Sequence, residues 1–133
     1  MPSFFVFKRR NNSMVVIKKR SNVIPVDFGE FQLNFPVSDS NIKRMEEVGE
    51  DLEAKSLTIQ NTDNKAAIDA AKAFVEDAFK QIFGDEEAFK QVYAFAGEST
   101  NNAMFYLIEA INGIRAEFEA QNSKAALDKY LAE

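Results

Sequence analysis

The sequence predicts a mainly α-helical protein, a small bundle of four to five helices preceded by an N-terminal β-hairpin or extended segment. Apolar residues recur with a helical period from position 38 onward, and β-prone runs are confined to the first 36 residues. The length of 133 residues fits one domain. We therefore expect a basic N-terminal arm or hairpin over residues 1–21 and a single helical domain with a leading β-strand over residues 22–133.

The first 36 residues are predicted to be extended. Ser3–Phe7 and Met14–Ile17 are β-prone runs separated by a polar segment, which allows them to pair as a hairpin. A later run alternates apolar and polar residues and predicts a half-buried strand: Phe31, Gln32, Leu33, Asn34 and Phe35. The Phe28-Gly29 pair just before it indicates a turn or a bulge.

The first two predicted helices each show a single apolar stripe. Ser38, Asp39 and Ser40 are N-cap candidates for the first helix. Its stripe consists of Ile42, Met45, Val48 and Leu52. The second helix has the widest stripe, made of Ala67, Ile68, Ala71, Phe74, Val75, Ala78, Phe79, Ile82 and Phe83. Gly84 follows at the position where a left-handed residue commonly ends a helix.

The C-terminal third is predicted to contain two or three more helices. Asp85 is the cap candidate of the third helix, which ends at Gly97 and buries Ala88, Phe89, Val92 and Tyr93. Ser99 and Thr100 open a fourth helix with an apolar face of Met104, Leu107, Ile108, Ile111, Ile114 and Phe118. Asn112-Gly113 interrupts its pattern. A short tail with Leu127, Tyr130 and Leu131 is either a fifth helix or an extension of the fourth.

Composition excludes several kinds of chemistry. The chain has no Cys and no His, which excludes disulfides, thiolate nucleophiles, histidine-based triads and Cys/His zinc sites. The acidic run Asp85–Glu87 does not follow an EF-hand pattern, and its charges suit the N-terminal end of a helix. No Gly-rich phosphate-binding motif occurs. We therefore expect a protein that is not an enzyme and uses no cofactor or metal.

Charge is distributed unevenly along the chain. Residues 1–20 contain six basic residues and no acidic one, whereas the remainder contains ten basic residues against 21 acidic ones. The basic arm suits nucleic acid, a membrane surface or an acidic partner, or it is simply a solvated terminus. The overall net charge of −5 argues against nucleic acid as the main partner. No apolar window is long enough for a membrane span, so a cytosolic protein is expected.

The central part of the chain resembles a known family. Residues 74–93 read FVEDAFKQIFGDEEAFKQVY. This stretch is similar to the central helix–Phe-Gly–helix segment of tail assembly chaperones of long-tailed, siphovirus-type bacteriophages or prophages. Asp27-Phe28-Gly29-Glu30, followed by Val37-Ser38-Asp39 at the start of a helix, also looks like the beginning of such proteins. The resemblance covers roughly residues 22–122, and residues 1–13 lie outside the family pattern.

The resemblance implies function by binding. Such chaperones coat the tape measure protein, keep it soluble and help recruit tail tube subunits in the cytoplasm of the bacterial host, and they are absent from the mature virion. An apolar groove would accept amphipathic helical segments of that partner. A homo-oligomer is also expected, because exposed strand edges pair readily. The alternative is a nucleic-acid-associated phage or bacterial regulator that uses the basic N-terminal arm.

The phenylalanines supply the candidate partner-binding residues. Six of the 13 lie in the first 36 residues, where a small sheet alone cannot bury them. We therefore select Phe28, Phe31 and Phe35 as partner-binding candidates, followed by Phe83 and Phe89 on either side of the Gly84 turn. For the two helical residues, ordinary core packing is the favoured interpretation.

Overall fold

The computed structural model describes residues 13–60 and 65–132. Within these ranges the chain forms an antiparallel two-stranded hairpin followed by five helices. The elements are β1 (Val23–Asp27), β2 (Gln32–Pro36), α1 (Asp39–Gln60), α2 (Lys65–Phe83), α3 (Ala88–Phe95), α4 (Thr100–Gln121) and α5 (Lys124–Leu131). The predicted mainly helical fold with an N-terminal hairpin is confirmed.

A tight turn at Gly29 closes the hairpin. Gly29 has a φ of +87°, and its N–H donates to the Asp27 carboxylate at 2.7 Å. The next residue, Glu30, has no positive φ, so Gly29 alone supplies the left-handed backbone conformation at this turn. The Phe28 N–H then donates to the Phe31 carbonyl at 2.9 Å. The turn predicted at Phe28-Gly29 is therefore confirmed.

The hairpin predicted between Ser3–Phe7 and Met14–Ile17 is not the hairpin that the described residues form. Met14–Ile17 forms no strand, and the other half of that predicted hairpin, Ser3–Phe7, lies outside the described residues. The strand at Gln32–Pro36 instead pairs with Val23–Asp27, with Ile24 opposite Phe35. The strand β1 was not predicted, because Pro25 lies at its centre and proline normally argues against a strand.

Pro25 is tolerated because its nitrogen faces the open edge of the hairpin. The ladder is closed at one end by the Phe28 bond described above and at the other by the Val37 N–H, which donates to the Asn22 carbonyl at 2.7 Å. Bonded pairs alternate in an antiparallel ladder, so the even-numbered residues of β1 direct their main-chain groups toward β2. Odd-numbered residues, including Pro25, direct theirs outward, and proline costs no ladder bond there.

The central helix is α2, which packs against α1, α3, α4 and β2. Its buried residues are Ala71, Val75, Ala78, Phe79, Ile82 and Phe83, as the predicted stripe requires. Ile68 was predicted on the same stripe but is 57% exposed. It lies in the first turn of α2, before the first buried residue of that helix.

The helix α1 packs against α2 and is linked to α4 by an ion pair. Met45, Val48 and Leu52 of its predicted stripe are buried. On a more exposed side of α1, the Glu46 carboxylate accepts two hydrogen bonds from Arg115 of α4, at 2.8 Å from Nε and 3.0 Å from Nη2. This bidentate bond raises the pKa of the Arg115 guanidinium. Gly49 leaves room for the guanidinium, because a Cβ there would lie 2.9 Å from Nη2.

The glycines predicted after α2 and α3 and the Ser99 cap of α4 are confirmed, but Asp85 does not cap α3, because the N-cap residue of α3 is Glu87, whose side chain makes no cap hydrogen bond. Gly84 and Gly97 have φ angles of +64° and +71°, and each follows the end of a helix. The Asp85 carboxylate accepts from the Glu87 N–H at 2.9 Å. The Ser99 hydroxyl caps α4 by accepting from the Asn102 N–H at 3.2 Å.

The structure answers two questions that the sequence left open about the C-terminal third. The helix α4 continues through Asn112-Gly113, so the polar pair does not end it. The tail is a separate helix, α5, capped by Ser123. None of the residues of α5 is buried, and Leu127, Tyr130 and Leu131 of its apolar face are each more than half exposed. The predicted face is therefore present without a core contact.

The two glycines inside α1 and α4 give a matched test of these contacts. Gly113→Ala should raise the free energy of unfolding by about 1 kcal/mol, because alanine favours the helix and nothing lies within 4 Å of the added Cβ. Gly49→Ala should give less, because the Cβ displaces Arg115 from Glu46. Such a partly exposed ion pair is worth up to about 1 kcal/mol. Urea unfolding measures both changes.

The control is Gly49→Ala in an Arg115→Ala background, where the guanidinium is absent. There the substitution should recover the full gain seen at Gly113. Equal effects of Gly49→Ala in both backgrounds would show that the close approach of Arg115 has no energetic consequence.

Candidate interaction surface

Four half-buried rings form one patch at the hairpin turn, called here the aromatic cluster: Phe28, Phe31, Phe95 and Tyr106. Phe28 and Phe31 stack with their ring centroids 4.6 Å apart. Phe95 meets them edge-on at 5.5 and 5.8 Å, and Tyr106 lies 5.2 Å from Phe95. Offset and edge-on arrangements at these distances are the favourable ones for aromatic pairs. The rings therefore hold one another in place while part of each remains at the surface.

Local backbone features bring these rings together. The turn at Gly29 places Phe28 and Phe31 opposite each other, with the Phe28 N–H donating to the Phe31 carbonyl. Phe95 is the last residue of α3, and Tyr106 lies in the second turn of α4. Between them the chain reverses through Gly97 and Glu98, whose φ angles are both positive, and the Glu98 N–H donates to the Tyr93 carbonyl at 2.8 Å. The cluster thus depends on a hairpin turn and a helix–helix link that are far apart in sequence.

A shallow groove of about 350 Å³ opens beside the cluster. Its walls are Val26, Asp27, Phe28, Phe95, Tyr106, Glu109 and Ala110. Aromatic and aliphatic side chains supply the apolar surface, while Asp27 and Glu109 supply acidic groups beside it. Partly exposed aromatic residues in such a position commonly provide most of the binding energy of a protein interface. The arrangement is suited to binding an apolar segment whose flanking residues are polar or basic.

Of the five predicted partner-binding residues, the structure brings only Phe28 and Phe31 together at the surface. Phe35 is completely buried, and Phe83 and Phe89 are 5% and 7% exposed. Phe79 packs between the two helical residues, at centroid distances of 6.1 Å from Phe83 and 6.3 Å from Phe89. In this conformation Phe35, Phe83 and Phe89 are therefore core residues and offer little surface to a partner.

Sequence reasoning missed Phe95 and Tyr106. Phe95 lies just outside the predicted stripe of the third helix, and Tyr106 lies beside, not on, the predicted stripe of the fourth. An aromatic residue off the buried stripe is the signal that was available. It does not by itself show that two such residues meet, because their contact depends on the α3–α4 link.

The described residues contain no membrane-spanning candidate and no metal-binding cluster. None of their helices combines the length and apolarity needed to cross a bilayer. No three acidic, His or Cys side chains among them are grouped so that they could hold a metal ion.

Comparisons with known proteins identify no relative of this chain, since no family model, curated protein or solved structure matches it.

Replacing single rings should separate the surface cluster from the core. Phe35→Ala should lower the free energy of unfolding by about 3–5 kcal/mol, because it removes a fully buried ring and leaves a cavity. Phe28→Ala should cost roughly 1–2 kcal/mol, because its ring is only half-buried. Urea denaturation followed by circular dichroism measures both. Equal losses would mean that Phe28 is as much a core residue as Phe35.

Proposed function

We propose that the protein is a tail assembly chaperone of a long-tailed bacteriophage or prophage. In this proposal it binds apolar helical segments of the tape measure protein, keeps that protein soluble and helps recruit tail tube subunits in the cytoplasm of the host. The observation that carries the proposal is the aromatic cluster, because its four rings stay half-buried beside an open groove.

The sequence resemblance supports the proposal independently of the cluster. The stretch from Phe74 to Tyr93 spans the C-terminal half of α2, the turn at Gly84 and most of α3. It therefore has the helix–Phe-Gly–helix form of the segment that it resembles. In this proposal the five helices form a small bundle around α2, and the hairpin completes the surface that meets the partner.

Binding would proceed by burial of apolar surface and involve no covalent chemistry. An amphipathic helix of the tape measure protein would place apolar side chains against the aromatic cluster, and each ring would lose its remaining contact with water. The acidic groups Asp27 and Glu109 beside the groove favour segments whose polar face is basic. The surplus of acidic residues after position 20 would keep the complex soluble.

Co-expression with a tape measure protein tests this function. The wild-type chain should increase the soluble fraction of that protein and co-purify with it. Phe31→Ser and Tyr106→Ser should each reduce co-purification, because losing one central aromatic contact costs about 2 kcal/mol, or roughly 30-fold in affinity. Circular dichroism confirms that each variant is folded.

The matched control is Ile68→Ser, which removes an apolar side chain that is 57% exposed on α2 and outside the cluster. It should leave co-purification unchanged. The proposal fails if the wild-type chain alters neither the solubility of the tape measure protein nor its recovery.

A further inference from the structure

The segment before β1 exposes a run of apolar side chains. Residues 13–22 form neither strand nor helix, and Met14, Val15, Val16 and Ile17 are 71–89% exposed. Three of these four residues are β-branched, which favours an extended conformation in a sheet. Lys18, Lys19 and Arg20 follow directly. The N-terminal arm was predicted over residues 1–21, and from here on the name refers only to Met14–Arg20. This segment is apolar and β-prone and has a basic end.

The outer edge of β1 is open to an additional strand. Its odd-numbered residues, Val23, Pro25 and Asp27, direct their main-chain groups away from β2, as the ladder requires. No hydrogen bond to the Pro25 carbonyl or to the Asp27 main chain occurs on this side within the described residues. The Val23 carbonyl accepts from the Ser21 hydroxyl at 3.4 Å, and Pro25 has no N–H. The edge therefore offers an incoming strand the Pro25 and Asp27 carbonyls and the Val23 and Asp27 N–H groups.

A groove of about 410 Å³ runs along this edge, between β1 and α4. We call it the edge groove. Its strand side is Ile24, Pro25 and Val26, and its helix side includes Glu109, Gly113 and Glu117, which are spaced one turn apart on α4. Because Gly113 has no side chain and nothing lies within 4 Å of where its Cβ would be, the helix wall is open at this point. Ala110 and Ile114 complete the helix side, so the groove is apolar along the strand and carries two carboxylates beside apolar residues along the helix.

We propose that the edge groove binds the arm of a second copy of this chain, added to β1 as an antiparallel strand. The arm has the three properties that the groove requires. Its β-branched residues suit strand addition, its apolar side chains are unburied in one copy, and Lys18 and Lys19 complement Glu109 and Glu117.

The arm of the same chain does not fill its own edge groove. An arm paired there would bury alternate apolar side chains, whereas all four are exposed. Arg20 also holds the base of the arm in place, since its Nη2 donates to the Gln121 carbonyl at 3.0 Å and its guanidinium lies 5.3 Å from the centre of the Tyr130 ring. Gln121 itself lines one end of the groove. Reversing the arm into its own groove would place the turn at this anchored residue.

Exchange between two copies closes the interface. Each copy contributes one arm and one edge groove, so a two-fold axis relates two identical contacts and leaves neither arm free. Antiparallel pairing is compatible with this two-fold axis, because the axis makes the arm and β1 of one copy run opposite to those of the other. The expected assembly is a dimer in which the arm of each copy adds a strand to the β1 edge of the other copy's hairpin.

Light scattering on the full chain, coupled to size-exclusion chromatography, tests the arm and the groove separately. The wild-type protein should show about twice the 15.0 kDa chain mass. Val16→Asp in the arm and Gly113→Leu in the groove should each shift the mass to that of one chain. Neither substitution should disturb the fold, since Val16 is 73% exposed and nothing lies within 4 Å of a Cβ added at Gly113.

Two matched controls place the same changes elsewhere. Ile68→Asp adds a carboxylate at another exposed apolar site, and Ala73→Leu adds bulk at an exposed position of α2 that does not line the groove. Both should remain dimeric. Mixing the Val16→Asp and Gly113→Leu chains should restore dimer mass in part, because one intact arm then meets one intact groove.

Two results would overturn the proposal. One is a wild-type mass of 15.0 kDa at every concentration up to the solubility limit. The other is a dimer that persists in both Val16→Asp and Gly113→Leu. Hydrogen exchange distinguishes the remaining arrangement, because protection of the Val15 and Ile17 amides in a monomer would place the arm in its own groove. None of these measurements involves the tape measure protein, so they succeed or fail independently of the proposed function.

Discussion

The fold depends on the burial of one side of α2. Phe79, in the C-terminal part of α2, is fully buried and contacts Phe83 one turn later and Phe89 of α3. The remainder of the stripe meets α1, α4 and β2. Large rings in a close-packed core have few acceptable arrangements, so fixing Phe79 restricts where the neighbouring elements can lie. The hairpin is positioned in the same way, because Leu33 and Phe35 of β2 are buried in this core. The aromatic cluster and the edge groove are therefore consequences of how β1, β2 and α4 are placed around α2.

The sequence predicted the parts of this fold that have local causes. The wide stripe of α2, the left-handed glycines at 84 and 97 and the Ser99 cap each depend on residues within one or two turns. The strand β1 escaped prediction because its pairing is settled by β2, and Pro25 is acceptable only once the open edge is known. Similarly, the alternation of Phe31, Leu33 and Phe35 was recognised, but it does not show that the first ring remains half-exposed at the turn. The convergence of Phe95 with Tyr106 depends on contacts across the fold, which a local pattern does not contain.

The half-buried state of the cluster has an energetic consequence for binding. Four rings already packed against one another lose little side-chain freedom when a partner covers them, so less of the binding energy is spent on ordering. Burying them completely in one chain would have required another covering element. The nearest candidates in sequence do not provide it, because α5 buries none of its residues and the arm leaves its apolar side chains in water. The chain thus retains apolar surface in distinct places, and each needs a separate explanation.

The uneven charge gives the arm and the groove a further physical relation. In each copy, the residues after position 20 include 11 more acidic than basic ones. These parts of two copies therefore repel each other. The arm contains Lys18, Lys19 and Arg20 and no acidic residue. A contact that brings the arm of one copy to Glu109 and Glu117 on α4 of the other therefore reduces the repulsion where the copies meet. Apolar pairing along β1 alone would place Glu109 and Glu117 of both copies near one interface without a counter-charge. Lys18 and Lys19, which follow the apolar run of the arm, supply that counter-charge. The arm thus combines apolar residues with basic ones, and the groove combines an apolar strand side with a helix side that carries Glu109 and Glu117.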